Sequence, residues 1–152
     1  MGACAGLNGT SERVECPKGS EMRAIADGLF TDETPPRLIG GRDRATGRIV
    51  FPCPANGSYE AMPLAREGTL WSFTIQRFRP KTPPYAGPDA FEPWIVAYVE
   101  LPGQVIVEAR LVDVDFEDVR IGMPLRFKPV PLDPGAPEDQ LIPAFAPIGE
   151  AA

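Results

Sequence analysis

Nineteen prolines and fifteen glycines are spread through 152 residues, and this punctuation constrains the fold more than any other feature. Proline lacks an amide donor and clashes inside a helix, and glycine weakens element interiors. A chain cut this often therefore cannot build long helices and must use short segments joined by turns. The length suits one domain with a modest core plus an arm or tail.

Short β segments are what the patterning offers. Trp71, Phe73 and Ile75 alternate with Ser72, Thr74 and Gln76, the mark of a half-buried strand with its large residues inward. A proline-rich loop, Arg79 to Pro93, leads to Trp94-Ile95-Val96-Ala97-Tyr98-Val99, which is apolar on both faces and so belongs at the centre of a sheet. Pro102-Gly103 makes a tight turn into Val105, Val107, Ala109 and Leu111. Val112, Val114 and Phe116 read as a further strand, Glu117 to Arg120 as a single helical turn stopped by Gly122, and Met123, Leu125 and Phe127 as the last strand. Five short strands with one long loop after the first suggest a small barrel, of which the OB-fold is the commonest; an SH3-like barrel would give a similar pattern.

Upstream, residues 1–19 are small and polar and read as a flexible arm. Met22, Ile25, Ala26 and Leu29 have the spacing of a short amphipathic helix starting at Ser20. Arg37–Gly41 and Arg48–Phe51 read as two strands about a turn at Ala45-Thr46-Gly47, followed by a second turn at Cys53 to Gly57. The expected organisation is an arm (1–19), a helix and hairpin (20–62), a barrel (63–130) and a proline-rich tail (131–152). That tail should form no regular structure alone, and its Leu141, Ile142, Phe145 and Ile148 should dock on something.

The sequence contains no histidine. That excludes Ser-His-Asp triads, Cys-His dyads and every histidine-containing metal site. Cys4, Cys16 and Cys53 are odd in number and at no recognised spacing, which argues against a disulfide framework and for a reducing cytoplasm. No apolar run approaches the roughly 20 residues of a membrane span, and Met1–Leu7 lacks a signal-peptide core. Without a secretion signal, Asn8-Gly9-Thr10 and Asn56-Gly57-Ser58 are chance matches to the glycosylation pattern. A formal charge of −6 makes the chain a poor general binder of nucleic acid.

Two charged clusters stand out. Asp113, Asp115, Glu117 and Asp118 form a solvated strand face or, less plainly, a hard-metal site. Arg77, Arg79 and Lys81 form a basic island with Phe78 and Tyr85 beside them, and no acidic residue lies between Trp71 and Gly87. The plain reading is solvated charge on a loop. The functional one is contact with a partner or with the phosphates of CoA, for which Arg77, Arg79, Lys81 and Tyr85 are the candidates. Single-stranded nucleic acid would use the same cations with aromatic stacking. Prolines 83, 84 and 88 stiffen this loop, which either projects into a partner's active-site entrance or folds back on its own barrel.

The order of motifs from Gly28-Leu29-Phe30-Thr31 through Pro36-Arg37-Leu38-Ile39-Gly40-Gly41-Arg42, Gly47-Arg48-Ile49-Val50-Phe51-Pro52, Cys53-Pro54-Ala55-Asn56-Gly57-Ser58 and Gly68-Thr69-Leu70-Trp71-Ser72-Phe73-Thr74 resembles a known family. It is similar to the zinc-ribbon plus OB-fold proteins long described as domain of unknown function number thirty-five. Pro83-Pro84-Tyr85-Ala86-Gly87-Pro88, Tyr98-Val99-Glu100-Leu101-Pro102 and Glu117 to Pro124 extend the resemblance, which covers roughly residues 28–130.

The resemblance implies a mainly β chain: a five-stranded OB-fold barrel preceded by a short helix and a degenerate ribbon-like hairpin. It also implies a non-catalytic accessory subunit of a thiolase-fold, acyl-CoA-processing enzyme (a thiolase, aldolase or acyltransferase). That partner would supply the Cys and His chemistry missing here, while this chain shapes or shields the acyl-CoA channel. A single-stranded nucleic-acid-binding OB-fold protein is the alternative. The family's ribbon carries Cys-x-x-Cys-Gly and then Cys-Pro-x-Cys-Gly. Here those four positions fall on Asp43, Thr46, Cys53 and Asn56, so three thiolates are gone. Structural zinc wants four soft or nitrogen ligands. The expectation is therefore no zinc, no catalytic role for Cys53, and knuckles held by Asp43 and Asn56 bonding turn amides.

Overall fold

The computed structural model describes residues 23–83, 85, 87–134 and 140–149. The arm at 1–19, with Cys4 and Cys16, lies outside the described residues, as do Ser20, Met22, Pro84 and Pro137. Eleven strands run through the described residues: β1 (Arg23–Ala24), β2 (Ile39–Asp43), β3 (Ile49–Val50), β4 (Tyr59–Pro63), β5 (Glu67–Gln76), β6 (Trp94–Leu101), β7 (Val105–Leu111), β8 (Pro124–Phe127), β9 (Val130–Pro131), β10 (Gln140–Ile142) and β11 (Ala144–Pro147).

Five of them close a barrel in the order β11-β7-β6-β5-β8. β5, β6 and β7 form an antiparallel meander, β8 returns to β5, and β11 is antiparallel to β8 but parallel to β7. This is the Greek-key closure of an OB-fold. Leu70, Ile95, Ala97, Val99, Val107, Leu111, Leu125 and Phe145 fill the interior. Gly68 sits where a Cβ would lie 2.6 Å from the Glu100 carbonyl oxygen, so only glycine lets β5 approach β6 this closely.

Four expectations are corrected. No helix occurs among the described residues of the segment 20–29: Arg23 and Ala24 instead pair in parallel with Gln140 and Leu141, and the Ile25 amide donates to the Leu141 carbonyl at 2.8 Å. A helix of under three turns is a poor competitor with sheet pairing, because nucleation is costly. Val112–Phe116 is not a strand either. Asp113 takes a positive φ of 60°, which turns the chain out of the sheet after Leu111, and residues 116–118 form a turn rather than a helical one.

The barrel's fourth and fifth strands are therefore β8 and β11. The tail does dock, but on its own barrel: Phe145 is fully buried, and its ring meets Phe127 edge-on at 5.4 Å. Trp71 is the fourth correction. A β-bulge between Leu70 and Ser72 shifts the inward parity to Phe73 and Ile75, leaving Trp71 55% exposed.

In front of the barrel, β3-β2-β4 form a small sheet in which β2 pairs along its whole length with β4, from Ile39 opposite Pro63 to Asp43 opposite Tyr59. Leu38 and Leu64, both buried, carry its base into the barrel core, joined by Ile49 and Phe51.

If β11 is the closing strand, Phe145→Ala should destabilise the fold by about 3–5 kcal/mol, the usual cost of emptying a buried aromatic site. Denaturant unfolding followed by circular dichroism measures it; an unchanged midpoint would show that the barrel stands without this strand.

Candidate functional site

Two places carry the residues singled out from the sequence: the hairpin β2–β3 with the turn that follows it, and the loop between β5 and β6 with the barrel face beneath it.

In the hairpin, β2 delivers Asp43 to the start of a tight turn. Its Oδ1 accepts from the amides of Ala45 (2.8 Å) and Thr46 (3.3 Å), and the Gly47 amide donates to the Asp43 carbonyl (2.8 Å). Thr46 Oγ1 accepts from the Arg48 amide at 3.3 Å. In the second turn Asn56 Oδ1 accepts from the Ser58 amide at 3.1 Å, and Cys53 Sγ lies 3.7 Å from the Pro54 carbonyl oxygen. Asp43, Thr46 and Asn56 thus hold the backbone amides that cap these turns.

The donor set does not fit a structural zinc. It offers one thiol and three oxygens, and the oxygens already accept amide hydrogens. Among the described residues no cluster of three or more His, Cys, Asp or Glu side chains is arranged to hold a metal.

The two amide bonds, from Ala45 first and Thr46 second, hold the Asp43 carboxyl below its ordinary 3.8. A depressed carboxyl stabilises the folded hairpin fully above pH 3.8, and the contribution disappears as pH falls through the lowered value. The protection of the Ala45 and Thr46 amides, the slowing of their exchange relative to an unstructured chain at the same pH, should therefore fall as the solution is acidified below 3.8. In Asp43→Ala that protection should be lost at every pH. Equal protection in variant and parent would remove Asp43 from this role.

The second place is built on β6 and β7. Alternation sends Ile95, Ala97 and Val99 into the core and leaves Trp94, Val96 and Tyr98 on the outer face, beside Glu108 and Arg110 of β7. Across this face Val96 is paired with Arg110. The loop of residues 77–93 folds back over its end. Gln76 Nε2 donates to the Phe78 carbonyl (2.7 Å), the Tyr85 amide donates to the Lys81 carbonyl (3.2 Å), and the Tyr85 ring stacks on Trp94 with centroids 5.9 Å apart and planes 16° from parallel. Phe91 meets the same indole edge-on at 5.5 Å. A Cβ on Gly87 would run into the Tyr85 ring and hydroxyl, so glycine is required for this approach.

The outcome for the named residues is mixed. Tyr85 belongs to the folded-back arrangement. Arg79 joins it, its guanidinium 5.8 Å from the Tyr85 centroid and its Nη2 3.4 Å from the wholly exposed Asp89 carboxylate. Arg77 and Lys81 are exposed and their side chains make no hydrogen bond or ion pair with the described residues, and Phe78 is 73% exposed. Sequence reading missed Trp94 as a platform, and it placed Arg110 only as an outward position alternating with the apolar residues of its strand, not as a site residue. The guanidinium of Arg110 lies 4.4 Å over the Trp94 ring. A lone arginine among the outward positions of a strand, two residues after Glu108, was the one available sign.

The acidic group is dispersed on the surface. Asp113, Asp115, Glu117 and Asp118 are exposed, and Asp113 is bonded by Lys128 Nζ.

Residues 61–128 match the family described as ChsH2, C-terminal OB-fold domain. A "DUF35 domain-containing scaffold protein" of Pyrococcus furiosus is 34% identical over 93 residues, 57% of this chain and 64% of that protein. The match thus spans a little under two thirds of the relative's length. Among solved structures, one described as an "Ltp2-ChsH2(DUF35) aldolase" is similar with a TM-score of 0.55 and 28% identity, covering 73% of this chain and 84% of that one. In its barrel, the segment matched and these relatives, the chain is similar to the DUF35 OB-fold proteins.

Proposed function

We propose that this protein is a non-catalytic accessory subunit of a thiolase-like or aldolase enzyme that handles acyl-CoA, with its OB-fold docked on the enzyme. The observation that carries the reading is the likeness of its barrel to the DUF35 component named in an aldolase structure, joined to a chain that has no histidine. Among the described residues Cys53 is the free thiol, and it sits in a capped turn with no base beside it. Acyl transfer or carbon–carbon cleavage would have to use the partner's residues. The role left to this chain is to stabilise the partner and to border its acyl-CoA channel, in the cytoplasm where its sparse cysteines are at home. The loop with Arg77, Arg79, Lys81 and Tyr85 is the part proposed to face the partner or the CoA.

The single-stranded nucleic-acid reading has less support. Tyr85 and Trp94 spend their faces on each other and on two guanidinium groups instead of presenting them to bases, and the net charge is −6. Among the described residues no helix is long and apolar enough to cross a membrane.

Affinity capture of the full chain from its source cells, read by mass spectrometry, tests the main reading. The expected result is one thiolase-like or aldolase protein in stoichiometric amount. Recovery of the chain alone, or with nucleic acid, would overturn it.

The same proposal includes a ribbon that needs no metal. The melting temperature should be unchanged by EDTA, and elemental analysis should give far less than one zinc per chain; a zinc-to-protein ratio near one would end the idea.

A further inference from the structure

Arg110 is held unlike any other described arginine. It is the penultimate residue of β7, where its amide donates to the Pro143 carbonyl at 3.1 Å and its backbone is paired with Val96 on one side and Ala144 on the other. Its side chain is half-buried against Trp94, and Nε is sealed from solvent without a hydrogen-bond partner. The two terminal nitrogens also lack partners in the described residues, but they are not sealed.

Arg66 shares a buried, unbonded Nε, yet its Nη2 donates to the Pro35 carbonyl (2.7 Å) and pairs with Glu33 (3.5 Å). Arg42, Arg44, Arg48 and Arg77 also lack partners, but they stand in water, where a free guanidinium costs nothing. Among the described arginines, Arg110 alone is desolvated with no hydrogen bond or ion pair to its guanidinium, which rests on the face of Trp94. Burial lowers its pKa from the ordinary guanidinium value, and the nearby Tyr85 phenol opposes that shift.

A half-buried charge without a counter-charge is unfavourable, and one arriving anion that bonds it is correspondingly favoured. Desolvation makes that attraction stronger than it would be for a surface arginine. The surroundings add positive charge: Arg79 reaches the same aromatic stack through Tyr85, and Lys81 and Arg77 stand unpaired on the loop. The acids in this region are Asp89 and Glu92 on the loop and Glu108 on the strand, all exposed, and none pairs with Arg110.

We propose that Arg110 anchors an anion site on the outer face of β6 and β7, at the rim of the loop, that receives the phosphate groups of a small ligand such as the diphosphate of CoA. The terminal nitrogens would bond the phosphate oxygens in the fork geometry that guanidinium favours, and Arg79 and Lys81 would supply further charge for a ligand carrying more than one phosphate. The choice of CoA rests on the reading of this chain as an acyl-CoA-side subunit; the anion chemistry rests on Arg110 itself.

Titration calorimetry of the full chain with CoA and with inorganic pyrophosphate, at low ionic strength, tests the site. Both should bind and compete, and ligand should change the fluorescence of Trp94, measured in a Trp71→Phe background. Arg110→Gln should weaken both ligands tenfold or more while leaving the melting temperature unchanged or higher, because it removes a charge with no counter-charge. Arg110→Lys, which keeps charge but not the fork, should lose part of the affinity. Should the glutamine variant not fold, the lysine variant decides: affinity equal to the parent's overturns the proposal.

Absence of binding by the parent chain at millimolar ligand, or equal binding by Arg110→Gln, also overturns it. Capture of the partner enzyme by a chain that binds neither ligand would sink this site and leave the accessory-subunit reading standing. Anion binding without any partner would do the reverse.

Discussion

The structure depends on the pairing of four residues, Ala144–Pro147, with two strands that would otherwise be edges. β11 takes β7 in parallel on one side and β8 in antiparallel on the other. Without it the meander β5-β6-β7 is an open sheet with its apolar face exposed, and neither Leu125 nor Phe127 of β8 has a neighbour on its far side. Phe145 then joins three parts of the chain: it meets Phe127 edge-on, and Phe127 meets Phe30, which belongs to the segment leading into the hairpin sheet. The barrel core and the front sheet are thereby one apolar cluster.

The same closure fixes the outer face. Arg110 is held on both sides by backbone pairing, so its side chain cannot withdraw toward solvent by bending the strand. Trp94, at the first position of β6, is the platform on which the loop's Tyr85 and the strand's Arg110 both settle. A loop with several prolines has little conformational freedom left to lose once that stack forms. The geometry of the face is therefore set by rigid strands, with one preformed loop laid over it.

How much of this was legible differs by element. The meander was, because alternation and an apolar run are local properties, and Trp94–Val99 and Val105–Leu111 emerged as read. The capped turns were legible too, since Asp43 and Asn56 act within three residues of themselves. What could not be read was anything decided by distant pairing. Met22, Ile25, Ala26 and Leu29 have helical spacing, but a strand of the tail captures the segment. Val112, Val114 and Phe116 alternate like a strand, yet one residue in a left-handed conformation ends the sheet before them. Trp71 alternates correctly by position and is turned outward by a bulge that leaves no local mark. At the candidate site the loop cations were visible as a cluster, whereas Arg110 became conspicuous only once its lack of a partner was known, which is a property of three-dimensional surroundings.

The closing strand has a temporal consequence. β5 begins at residue 67, and the barrel cannot seal until residue 147 has cleared the ribosome, long after β5, β6 and β7 have been made. At a synthesis rate of about 5–20 residues per second, the 36 residues separating the end of β7 from the end of β11 leave the nascent sheet unsealed for seconds. During that interval the β7 edge is a template for any extended segment nearby, and a chaperone or a co-synthesised subunit that shields it would govern yield without altering the finished protein.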